Sequence, residues 1–66
     1  MPYTTNTDLP SSVSNHLPEH AQDIFRKAFN RALDEYGTEE QAFKVAWAAV
    51  KKEYEKGENG EWVKKD

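Results

Sequence analysis

The chain has 66 residues, a formal net charge of −3, no cysteine, and 32% charged against 36% hydrophobic residues. That length allows one domain, spanning 1–66, which buries only about 60% of the surface its unfolded form exposes and is stable by roughly 3–5 kcal/mol. Disulfides and thiolate metal sites are excluded, the acidic balance argues against indiscriminate coating of nucleic acid, and no apolar run approaches the ~20 residues of a membrane span.

The first element follows Asp8-Leu9-Pro10-Ser11-Ser12-Val13. Proline suits the first position of a helix because its missing N–H has no intrahelical partner there. A short helix is predicted from about Pro10 to Asn15, with Leu9, Val13 and Leu17, spaced four apart, turned toward the rest of the domain. Pro18 stops it by restricting the residue before it, and its own fixed φ opens the next helix.

From Pro18 to Tyr36 the apolar residues Ala21, Ile24, Phe25, Ala28, Phe29, Ala32, Leu33 and Tyr36 recur three and four apart, the stripe of an amphipathic helix. Gly37 suits a left-handed helix end, and Thr38-Glu39-Glu40-Gln41 fits a capping box in which Thr38 caps and Gln41 reaches back. A third helix is predicted from Glu39 to about Glu55, its stripe formed by Ala42, Val45, Ala46, Ala49 and Val50 and widened by Phe43, Trp47 and Tyr54. So short a link folds the two long helices, 18–36 and 39–55, into an antiparallel hairpin. The fold class is mainly α, a compact three-helix domain.

Glu58-Asn59-Gly60 reads as a turn. Trp62 beyond it and Tyr3 at the other end are stray aromatics, and a tryptophan ring is rarely left fully exposed in a chain so short of core material. The economical arrangement pairs Met1–Tyr3 with Trp62–Lys64 in a two-stranded ribbon supported by the helices.

No constellation of catalytic residues stands out. His16 and His20 are four apart, but Pro18 breaks the shared face, and zinc would want a third or fourth ligand, so capping or surface roles are expected. Glu55, Glu58, Asn59 and Glu61 have the oxygen-rich composition of calcium loops without the regular spacing of an EF-hand, so a plain turn is expected. Ser11, Ser12 and Ser14 read as caps, and a domain this small offers little volume for a substrate pocket. The expectation is a non-enzyme with no cofactor and no metal, soluble, cytoplasmic and monomeric.

The charges gather in two mixed groups, and such mixtures are usually solvated helix faces. Arg26, Lys27 and Arg31 are interrupted by Asp23, Asp34 and Glu35; Lys51, Lys52, Lys56, Lys64 and Lys65 are interrupted by Glu53, Glu55, Glu58 and Glu61. If Trp62 were exposed among those five lysines, a base could stack on it while the ammonium groups met phosphates, with steep salt dependence. Lys51, Lys52, Lys56, Trp62, Lys64 and Lys65 are therefore the candidate partner-binding residues, with nucleic acid as one reading. Another reading is an adaptor for a second protein, which would show as an exposed apolar groove.

The order of the segments resembles the ChaB family of small bacterial and phage proteins. The resemblance rests on Met1-Pro2-Tyr3, Asp8-Leu9-Pro10 with Val13, Leu17-Pro18, His20-Ala21-Gln22-Asp23-Ile24-Phe25 and Ala28-Phe29-Asn30 in the first half. In the second half it rests on Ala42, Lys44 through Lys51, Glu53-Tyr54, Gly57, Trp62 and Lys64-Lys65. It covers nearly the whole chain, although the link at Gly37-Thr38 is shorter than in some relatives. The resemblance implies a regulator of cation transport that touches the cytoplasmic face of a cation/proton antiporter and shifts its conformational balance. It implies no catalytic residues.

Overall fold

The computed structural model describes residues 3–65. A single 3-10 turn, Asn6–Asp8, is followed by helices α1 (Ser11–Ser14), α2 (Glu19–Tyr36) and α3 (Glu39–Glu53), then by strands β1 (Tyr54–Lys56) and β2 (Trp62–Lys64). The two long helices form the antiparallel hairpin that their apolar spacing predicts, and their boundaries agree with the expected ones within two residues.

Local chemistry sets each boundary. Pro18 sits just ahead of α2 in extended backbone, and Gly37 ends the helix with φ 77°, its N–H returning to the Leu33 carbonyl. Thr38 then caps α3, its Oγ1 accepting the Gln41 N–H at 3.4 Å. Gln22 takes on a task not apparent from its position in the chain. Its side-chain amide donates to the Ser14 and Leu17 carbonyls at 3.1 and 2.8 Å, satisfying oxygens left bare where α1 ends.

The core is one cluster. Phe25 and Phe29 of α2 and Val50 of α3 are fully buried, with Ala21, Ala32, Ala42 and Ala46 between them, and Leu9, Val13 and Leu17 close one end as expected. Small alanines at the facing positions let the helices approach while the two phenylalanines fill the seam. Phe43 meets both, at ring-centroid distances of 5.9 Å from Phe25 and 4.9 Å from Phe29.

The terminal ribbon exists, but its partners differ from those expected. Strand β2 is the segment anticipated, Trp62–Lys64, yet among the described residues it pairs antiparallel with β1: Tyr54 lies opposite Lys64, Glu55 opposite Val63, and Lys56 opposite Trp62. Residues 1 and 2 of the expected pairing lie outside the described residues. The reason is the end of α3. The chain leaves helical geometry at Tyr54, whose φ and ψ are −128° and 153°, and turns back through Gly57–Gly60, with the Gly57 N–H bonded to the Glu61 carbonyl at 2.6 Å. A strand partner reached through the five residues from Gly57 to Glu61 costs far less loop entropy than one at the other end of the chain. Tyr54 is buried all the same, so the core position read from helical spacing is filled from a strand.

Candidate interaction surfaces

Two long faces of the helical hairpin remain after the core is formed, and the rest of the chain treats them differently. One carries the aromatic side chains. Tyr3 packs on Phe29 at 4.8 Å, and Trp62 packs on Trp47 at 5.5 Å with the rings inclined by 31°. Polar anchors fix the N-terminal arm along the same helix. The Asn30 side chain exchanges two hydrogen bonds with the Tyr3 backbone. Asn6 donates to Asp23 Oδ1 at 2.7 Å and accepts from Arg26 Nε at 2.9 Å. Asp23 and Arg26 also pair directly at 3.6 Å. These contacts hold the Asp23 carboxyl below its ordinary value, the Asn6 hydrogen bond first and Arg26 after it, with burial working the other way. The Tyr3 phenol moves up, chiefly through burial and then through the charge of Glu39.

The opposite face is left open. There Ile24, Ala28 and Ala32 of α2 and Val45 of α3 floor a groove of about 480 Å³, edged by Lys27, Arg31, Glu35 and Tyr36. Tyr36 falls on the apolar stripe by spacing but keeps 55% of its surface in solvent, because it stands in the last turn of α2, just before Gly37. Arg31 is 84% exposed and its contact with Glu35 is 4.0 Å, too long and too wet to hold the guanidinium in place. The volume is of the order that small-molecule sites need, contrary to the expectation from chain length. Its shape is that of a surface trough between two helices.

The expected lysine patch is partly assembled. Lys51 and Lys52 occupy the last turn of α3, where cations complement the helix dipole. The Lys65 N–H donates to the Glu53 carbonyl at 2.8 Å, which brings Lys64 and Lys65 beside that turn. Lys56 lies at the far end of the ribbon, opposite Trp62, in a cleft lined by Asn15, His16, Asn59, Gly60 and Glu61. All five lysines are exposed, whereas Trp62 is half-buried against Trp47 and so offers less than a whole ring for stacking. The ribbon's outer face holds Glu55 and Val63, the latter 47% exposed.

The histidines part company: His16 joins the Lys56 cleft, while the His20 ring lies 6.3 Å from that of Tyr54. Glu58, Asn59 and Gly60 make the turn expected of them. Among the described residues no three His, Asp or Glu side chains are grouped to hold a metal ion, and no helix is long and apolar enough to cross a membrane.

An exposed apolar groove is what the adaptor reading expects, but its place and lining do not follow from the sequence reading. Ile24, Ala28 and Val45 pack against the core, as their place in the stripe predicts, but are only partly buried, and Lys27 and Arg31 of the solvated face stand along the groove's edge. The available signal was the width of the stripe on both helices, which exceeds what one seam between them can bury.

The family model described as ChaB matches residues 9–65. A protein of Escherichia coli strain K12 named "Putative cation transport regulator ChaB" is 53% identical over 75 residues, covering 98% of this chain and 99% of its own. An "Uncharacterized 10.2 kDa protein" of Orgyia pseudotsugata multicapsid polyhedrosis virus is 41% identical over 46 residues, 70% of this chain and 50% of its own. Among solved structures, an "NMR solution structure of the putative cation transport regulator ChaB" superimposes with a TM-score of 0.89 at 52% identity, covering 98% of this chain and all of the other.

Proposed function

The chain belongs to the ChaB family, and from that premise we propose that it is a non-catalytic regulator of cation transport, acting by protein–protein contact with the cytoplasmic face of a cation/proton antiporter. The observation that carries the reading is the 53% identity, over 98% of this chain, with a protein named "Putative cation transport regulator ChaB", a name that speaks of regulating cation transport and not of an antiporter or of the contact. A binding protein changes a transporter's activity only by preferring one of its conformations, so the mechanism is a difference in affinity between two transporter states. An open trough suits such contact better than an enclosed pocket does, because a partner can enter and leave along its length.

The test is transport itself. Inside-out membrane vesicles from the native host, stripped of the protein, should change their rate of cation-driven proton movement when it is added back, and the antiporter should co-purify with it. Vesicles indifferent to the protein, together with no co-purification, remove the reading.

The backbone bond from Lys65 to Glu53 favours one alternative, weak binding of nucleic acid, since it brings Lys64 and Lys65 to the α3 turn that bears Lys51 and Lys52. Titration of labelled single- and double-stranded DNA at low and moderate salt decides it. Binding should fall steeply with salt and vanish on charge reversal of Lys51 and Lys52. Binding that ignores both changes excludes this surface.

A further inference from the structure

On the open side of the hairpin, α2 presents two parallel rows at four-residue spacing: the apolar Ile24, Ala28 and Ala32, and beside them Lys27, Arg31 and Glu35. Val45 of α3 forms the far wall. We propose that this groove is the docking site for one amphipathic helical segment of a partner protein, about three turns long, whose apolar stripe is bordered by acidic residues. The inference rests on the regulator reading for its biological setting and names the surface that makes the contact.

Three features select that occupant. Both walls are helices whose backbone groups are consumed internally, so an extended peptide finds no free strand edge, and recognition falls to side chains, as in helix-in-groove complexes. The small side chain of Ala28 in the middle of the apolar row lets another helix approach to an interaxial distance of about 8–10 Å, its ridge seated between the row and Val45. The row from Ile24 to Glu35 is roughly 16 Å long at about 1.5 Å per residue, which sets the length of segment that can be read.

Charge selects further. The edge runs positive, positive, negative from Lys27 through Arg31 to Glu35, in a chain whose net charge is −3. Two carboxylates on the partner opposite Lys27 and Arg31, with a cation or neutral residue near Glu35, complement that order. A second copy of this chain is a poorer match: the register that pairs Lys27 with Glu35 of the copy sets Arg31 against its own counterpart.

Two stapled helical peptides of about three turns test the idea, each with leucines at four-residue spacing, bordered in one by glutamates and in the other by lysines. They are titrated into the isotopically labelled protein and followed by amide chemical shifts. The glutamate peptide should saturate with shifts centred on Ile24 to Glu35 and Val45 and bind about tenfold tighter than the lysine peptide, the effect of two exposed ion pairs changing sign. K27E/R31E should invert the preference with unchanged circular dichroism, and A28Q, which fills the floor, should weaken both peptides alike.

Equal affinity for the two peptides, shifts centred on Lys51 to Lys65, or spectra that change with protein concentration alone would each overturn the assignment. So would K27E/R31E protein that still co-purifies with the antiporter, a result that leaves the regulator reading intact. Peptide discrimination without any antiporter contact supports the groove and removes that reading.

Discussion

Asn30 and Tyr3, 27 positions apart, exchange two hydrogen bonds: the Tyr3 N–H donates to Asn30 Oδ1 at 2.8 Å, and Asn30 Nδ2 donates to the Tyr3 carbonyl at 2.7 Å. The side-chain amide thus stands in for a peptide group of a neighbouring strand. It holds the N-terminal arm on α2 and presses the Tyr3 ring onto Phe29.

Removing that amide should release the arm. Asn30→Ala leaves both Tyr3 backbone groups without their partner, at a cost of about 1–3 kcal/mol. Urea unfolding should show the lower midpoint, and the Tyr3 amide should lose its protection from hydrogen exchange. An unchanged midpoint with the Tyr3 ring still in contact with Phe29 contradicts the role assigned to Asn30.

Asp23 should make stability sensitive to acid. Its carboxyl is held below the reference 3.8 by the Asn6 hydrogen bond and by Arg26. A folded-state pKa that is depressed contributes stability above the unfolded value, and the contribution is lost as pH falls through the folded value. Unfolding midpoints measured between about pH 6 and pH 2 should decline below 3.8, and Asp23→Asn should flatten part of that decline. Identical acid limbs in the two proteins contradict the prediction.

Tyr3 acts at the other end of the scale, where burial raises its phenol above 10.0. A raised folded value gives stability that is complete below the unfolded pKa and is lost as pH rises through the folded one. Tyr3→Phe should therefore be less sensitive than the parent protein to pH above 10.0 in thermal melts. Matching alkaline profiles count against it.

The ribbon depends on the contact between Trp62 and Trp47, 5.5 Å between ring centroids. Trp62→Ala removes a half-buried ring and should cost about 1–1.5 kcal/mol, roughly half the value for a fully buried large apolar side chain, and should make Trp47 fluorescence accessible to a soluble quencher. Trp47 equally shielded in the variant would show that β2 does not cover it.

Gly37 has φ 77° and nothing within 4 Å of where a Cβ would stand. Its substitution therefore tests backbone conformation without a steric clash. Gly37→Ala should lose about 1–2 kcal/mol in chemical denaturation, and Gly37→Asn less, because asparagine tolerates the left-handed region better. Equal losses would point to a cause other than backbone strain.

The helices and their ends were legible because each is fixed by neighbours in the chain. Residues three and four apart make the stripes from Ala21 to Leu33 and from Ala42 to Val50, Pro18 and Gly37 impose their own dihedrals, and Thr38 caps through a bond to Gln41 only three residues on. The partner of β2 was not legible in the same way. Tyr54 stands four residues after Val50, a spacing that satisfies a helix as well as it places a buried strand residue, so periodicity could not separate the two. Asn30 likewise reads as an ordinary polar helix residue until the arm reaches it.

Sequence alone determined the family, the hairpin and most of the core. Tertiary structure decided that the arm and ribbon both settle on the aromatic side, leaving Ile24, Ala28 and Val45 beneath an open trough. Periodicity records only that a side chain needs cover; which segment supplies it depends on long-range packing, which no local pattern contains.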